Sequence, residues 1–154
     1  MLRSATLIAL AALVLSAGSA AAQSRVEVGV LTCRGPTTSF VLGSFTDLRC
    51  VFRRSDGRGD RYRYRGTVRR FGLDIGIYQT TAIAWAVFAP TRRVGRGDLR
   101  GNYGGISAGA SIGLGLGANA LLGGSNNTIA LQPLSVQGQT GLGIAVGIAG
   151  LSLR

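Results

Sequence analysis

Leu48-Arg49-Cys50-Val51-Phe52-Arg53-Arg54-Ser55-Asp56-Gly57-Arg58-Gly59-Asp60-Arg61-Tyr62-Arg63-Tyr64-Arg65 holds two extended runs around a turn. Arg61, Arg63 and Arg65 alternate strictly with Tyr62 and Tyr64. That period of two belongs to a β-strand, with the arginines on one face and the tyrosines on the other. Leu48 to Arg54 reads as the preceding strand, and Asp56-Gly57 is a hairpin signal. A hairpin closed there brings Arg53 or Arg54 alongside the Arg61–Arg65 strand.

The same grammar extends in both directions. Upstream, Val26, Val28, Val30 and Thr32 alternate with Glu27, Gly29, Leu31 and Cys33. Gly35-Pro36 predicts a turn, and Phe40-Val41-Leu42 a further strand. Downstream, Leu73 to Tyr78 and Ala82 to Phe88 read as apolar strands, the second stopped by Pro90, before a basic loop over Thr91 to Arg100. From Gly101 onward there are 14 glycines and one charged residue, Arg154. Ile112 to Gly117 alternates large side chains with none, a pattern that marks close backbone approach, curvature or a bulge. Thr128 to Val136 and Gly141 to Leu151 supply two more strands, joined by Gln137-Gly138-Gln139-Thr140. Short strands with regular turn signals predict an all-β domain, a small antiparallel barrel or sandwich with Gly-rich C-terminal strands.

The first 22 residues read as an address. Arg3 precedes an apolar run from Ala5 to Leu15, and Ala20-Ala21-Ala22 fits cleavage before Gln23. The expectation is a signal peptide over 1–22 and a single all-β domain over 23–154, exported to the periplasm and envelope-associated there or secreted. Export removes Arg3 and leaves 16 arginines against six acids, a net charge of +10. An oxidising compartment predicts a disulfide between Cys33 and Cys50, 17 positions apart. Closing such a loop is worth about 3 kcal/mol. The Cys-x-x-Cys spacing of a redox pair is absent.

Composition excludes much chemistry. All 17 cations are arginine, and the chain has no histidine and two cysteines. It therefore has no Ser-His-Asp triad, no His-ligated metal and no four-thiolate cluster. Gly109-Ala110-Ser111-Ile112-Gly113 spells a nucleophile elbow without the His base it needs. Gly115-Leu116-Gly117-Ala118-Asn119-Ala120 spells a dinucleotide fingerprint without the acid that should follow. Arg58-Gly59-Asp60 and Arg96-Gly97-Asp98 are adhesion tripeptides of a kind that Arg- and Gly-rich turns generate by chance. Asp74, between Leu73 and Ile75, reads either as a pocket acid or as a partner of Arg69, Arg70 or backbone amides. No enzyme activity, cofactor or metal is expected.

Nine arginines between Arg49 and Arg70 against Asp56 and Asp60 form the one electrostatic feature. Arg53, Arg54, Arg61, Arg63 and Arg65 are the candidate contacts for an anionic lipid or lipopolysaccharide. The competing reading is a charged edge strand that blocks unwanted pairing. An exported protein is not expected to meet nucleic acid. A second functional expectation is a carrier of an apolar ligand in a small barrel, with Asp74, Trp85 and Phe88 as pocket candidates. The protein is expected to be a monomer or a weak homo-oligomer.

Several segments resemble the exported bacterial family Domain of Unknown Function 992. They are Val28-Gly29-Val30-Leu31-Thr32-Cys33 with Cys50, Phe71-Gly72-Leu73-Asp74-Ile75-Gly76, Trp85-Ala86-Val87-Phe88-Ala89-Pro90, the Gly115 to Ser125 stretch, and Ile129-Ala130-Leu131-Gln132-Pro133-Leu134-Ser135-Val136-Gln137-Gly138. The resemblance covers essentially the whole chain after residue 22. It implies a small exported protein of alphaproteobacteria with its two cysteines at shared positions. It also implies that the arginine cluster lies where family members differ.

Overall fold

Strands rich in β-branched and aromatic residues must pair or leave their backbone groups unsatisfied. Here every strand pairs on both sides. The computed structural model describes residues 24–40, 43–71, 79–105, 120–137 and 148–154. Within them eight strands follow in order: β1 Val26–Phe40, β2 Gly43–Arg54, β3 Arg61–Phe71, β4 Gln79–Ala89, β5 Gly101–Gly105, β6 Leu121–Gly123, β7 Ile129–Gln137 and β8 Ile148–Leu153. A 3-10 turn over Ser125–Asn127 joins β6 to β7. No helix among the described residues is long and apolar enough to cross a membrane.

The strands close into an antiparallel barrel in the order β1-β2-β3-β8-β5-β6-β7-β4. Its first half reads β4-β1-β2-β3 around the ring and its second half β8-β5-β6-β7. Each is a Greek key, in which the fourth strand returns to lie beside the first. The β3–β8 and β4–β7 ladders join the halves.

Gly35-Pro36 is not the turn that the sequence predicts. β1 runs through it, and Pro36 pairs with Thr80 of β4. Pairing with β4 holds the chain extended where local propensity favours a turn. The β1–β2 ladder is interrupted there, after Arg34, and resumes at Thr37 in the same register. Glycine is required at 35 because a Cβ there would overlap the Asp47 carbonyl oxygen. The β2–β3 hairpin forms as expected, through a longer connection over residues 55–60.

Eight strands leave an interior that side chains just fill. Trp85, Phe52, Leu31, Ile83, Leu131 and Val68 lie inside, each at most 1 % exposed. Towards the β1–β2 turn the interior becomes polar. The Thr37 hydroxyl lies 2.9 Å from that of Thr46 and 2.7 Å from that of Thr81, all buried. At the opposite end the loop after Pro90 folds over the barrel mouth and buries Val94 and Leu99. The Tyr103 hydroxyl donates to the Leu99 carbonyl at 2.7 Å, and Gly97 N–H donates to the Tyr64 hydroxyl at 3.1 Å.

Candidate anion-binding face

The Cys33–Cys50 disulfide is present and sets the geometry of the basic face. The two cysteines are directly opposed on β1 and β2, with Cα atoms 4.0 Å apart and both side chains buried inside the barrel. Neighbours in a strand point to opposite faces, so the next opposed pair, Arg34 and Arg49, points outward. Arg49 is in turn opposed by Arg65 of β3. Arg65 exchanges two backbone hydrogen bonds with Arg154, just past β8, at 2.9 and 2.8 Å. Four exposed arginines thus form one row across four adjacent strands. Strand spacing of about 4.8 Å places them within roughly 15 Å.

A second row lies four residues along each strand, where Val30 faces Arg53 and Arg53 faces Arg61. Between the rows, Arg63 faces Val51, itself partly exposed. Three shallow depressions of about 520, 450 and 730 Å³ mark this surface, and Arg49 is in the wall of each.

Of the candidate contacts, Arg53, Arg61, Arg63 and Arg65 lie together on this face, exposed. Arg54 does not join them. It follows Arg53 by one residue and so takes the opposite face of β2. There it pairs with Asp56 at 2.7 Å and Asp60 at 3.8 Å, and donates to the Tyr62 hydroxyl at 3.5 Å. The Tyr62 hydroxyl, then the two carboxylates, push its pKa up. Arg54 therefore locks the β2–β3 turn. Among the described residues these are the ion pairs of the surface, so the outward arginines face solvent without a carboxylate partner.

The pocket candidates separate as well. Trp85 is fully buried inside the barrel, with its indole N–H unpartnered. Phe88 sits outside, half-buried against Ala120, Ala130 and Leu122. The two are three residues apart on one strand, so they take opposite faces and do not line a common cavity. Asp74, the elbow pattern at 109–113 and most of the fingerprint at 115–120 lie outside the described residues. Both adhesion tripeptides have structural partners. Asp60 forms an ion pair with Arg54, and Asp98 accepts Gly95 N–H at 2.7 Å. Among the described residues no three metal-ligating side chains cluster.

Arg34, Arg49 and Arg154 belong to the face but not to the contacts that the sequence singles out. Arg49 and Arg34 follow from the disulfide by counting one register step. Arg154 depends on the β3–β8 ladder.

The family model described as "Protein of unknown function (DUF992)" matches residues 12–154. The chain belongs to the DUF992 family. No curated protein and no solved structure matches it. The resemblance read from Val28–Cys33, Trp85–Pro90 and Ile129–Gly138 is therefore that of a family member. In this DUF992 barrel those segments are parts of β1, β4 and β7, which adjoin one another in the ring. These three segments thus lie in one wall of the barrel, with Arg34 on its β1 edge and Arg49, Arg65 and Arg154 on the strands beyond.

Proposed function

We propose that this is a non-enzymatic, exported protein that binds an anionic envelope surface through the arginine face of β1, β2, β3 and β8. The observation that carries this reading is the Arg34–Arg49–Arg65–Arg154 row. Like charges directly opposite in a sheet destabilise it. A row of four therefore costs fold stability, which a binding role would explain. The edge-blocking explanation has lost its object, because β2 and β3 are each paired on both sides in a closed ring. Guanidinium groups offer bidentate contacts to phosphate and carboxylate, which suits lipid headgroups and lipopolysaccharide.

The carrier reading has less support, since large side chains fill the described barrel interior. The disulfide agrees with an oxidising, periplasmic location.

The test is co-sedimentation of the exported protein with phosphatidylglycerol vesicles and with lipopolysaccharide over a salt series. Binding at low salt that is lost as salt rises is expected, with the Arg61→Gln/Arg63→Gln/Arg65→Gln variant bound more weakly and with a flatter salt dependence. Absence of binding at low salt overturns the proposal.

A further inference from the structure

The arginine row has a neighbour with different chemistry. Two residues along the same strands, Asp47 faces Thr67, Thr67 faces Ser152, and Ser152 faces Asn102. These residues point outward like the arginines, because an even separation along a strand preserves the face. The Thr67 hydroxyl donates to Asp47 Oδ1 at 3.2 Å, which leaves its own lone pairs and the other Asp47 oxygen facing the surface. The depression of about 520 Å³ runs between the two rows. One wall is Arg34, Arg49, Arg65 and Arg154; the other is Asp47, Thr67 and Ser152. Gly35 and Gly66, with no side chains, lie between. The trough is therefore cationic on one side and rich in hydroxyl and carboxylate acceptors on the other.

That pairing selects among anions. A ligand bearing only negative charge, such as a polyphosphate, meets repulsion from the Asp47 carboxylate. A lipid headgroup layer uses the arginines, and offers the acceptor row only the short glycerol or ethanolamine end of each headgroup. A chain carrying an acidic group and hydroxyls on the same unit satisfies both walls at once. Its acids take guanidinium donors, and its hydroxyls donate to Asp47 and exchange hydrogen bonds with Thr67 and Ser152.

We propose that the trough is a binding site for an acidic saccharide chain lying across β1, β2, β3 and β8, its anionic groups on the Arg34–Arg49–Arg65–Arg154 row and its hydroxyls on Asp47, Thr67 and Ser152. This rests on the anionic-surface reading above and narrows it to one ligand class.

The experiment is titration of the exported protein at low salt with oligogalacturonate, a neutral maltooligosaccharide of equal length, inorganic polyphosphate and phosphatidylglycerol vesicles. Oligogalacturonate is expected to bind and the neutral sugar not to bind. The Thr67→Val/Ser152→Ala variant should weaken oligogalacturonate about tenfold and leave polyphosphate unchanged. Thr67→Ser with Ser152 intact should retain wild-type affinity, and Arg49→Gln should weaken every anionic probe. Superimposable thermal melts of the variants exclude a folding defect. If polyphosphate binds as tightly as oligogalacturonate and the hydroxyl variant changes neither, the saccharide assignment is overturned while the anion-binding reading stands. Binding to vesicles alone has the same meaning. If no anionic probe binds, both fail.

Discussion

Arg34 stands directly across the β1–β2 ladder from Arg49, one register step beyond the buried Cys33–Cys50 disulfide. The covalent link and the like-charge pair are adjacent, on opposite faces of the same hairpin. The link holds together two strands whose outer faces repel, so stability and surface charge can be dissected separately.

Arg49→Gln tests the charge. Arg49 is opposed by Arg34 on one side and Arg65 on the other. Removing its charge should raise stability by about 0.2–1 kcal/mol, read as a higher midpoint in urea, while weakening anion binding. Added salt should narrow the stability gap by screening the wild-type repulsion. A variant less stable at every salt concentration would show that the opposition does not matter energetically.

The disulfide answers to the double variant Cys33→Ala/Cys50→Ala. Losing a cross-link that closes a 17-residue separation should cost about 3 kcal/mol. For a domain of this size that is a fall in Tm of about 10 °C. Both cysteines are buried, so reductant should act on the native protein only as fast as the barrel opens. Immediate reduction of the folded protein would contradict the burial.

Alkaline pH should loosen the end of the barrel closed by the loop after Pro90. Burial, then the neighbouring Tyr64, pushes the Tyr103 phenol well above its ordinary range. Burial raises Tyr64 too, partly offset by the Gly97 and Leu99 backbone. Below about pH 10 both phenols are protonated whether the chain is folded or unfolded, and their contribution to stability is constant. Above that value the unfolded phenols ionise first, so stability falls as pH rises. Tyr103→Phe should cost about 1 kcal/mol near neutrality by stranding the Leu99 carbonyl, and should flatten the alkaline decline. Denaturant midpoints from pH 7 to 11 check both limbs.

Trp85 is the only tryptophan and is fully buried with its indole N–H unpartnered. Its emission should be blue-shifted and resistant to acrylamide until unfolding. Trp85→Ala should cost about 3–5 kcal/mol by leaving a cavity. Trp85→Phe should cost clearly less, because it keeps much of the volume and removes an unsatisfied donor. Equal losses in the two variants would mean that the indole N–H finds a partner.

Much of this architecture was legible in residue patterns, and its gaps have physical causes. The alternation in Arg61–Arg65 and the Asp56-Gly57 signal located the hairpin because both are local. Arg34 was legible in principle, since opposing Cys33 to Cys50 forces Arg34 opposite Arg49. The expected Gly35-Pro36 turn cut that inference short, and β4 pairing overrides the turn. Trp85 and Phe88 share apolar chemistry, but an odd separation on a strand divides them. Arg154 had no local signal. Its place beside Arg65 depends on the β3–β8 ladder, which joins Gly66 to Leu153 across most of the domain.

The two Greek-key halves give the barrel a particular order of assembly. Everything that completes β3 and β4 comes from the second half. During synthesis the first half therefore emerges with two bare strand flanks, one of them, β3, carrying five arginines, and waits for partners encoded far downstream. A fragment ending near Arg100 should satisfy those flanks on another copy of itself and form dimers or fibres. Its mutual repulsion at β3 would slow that encounter. The positive charge would then serve the unfinished chain as well as the finished one, keeping nascent molecules apart until each has closed its own ring.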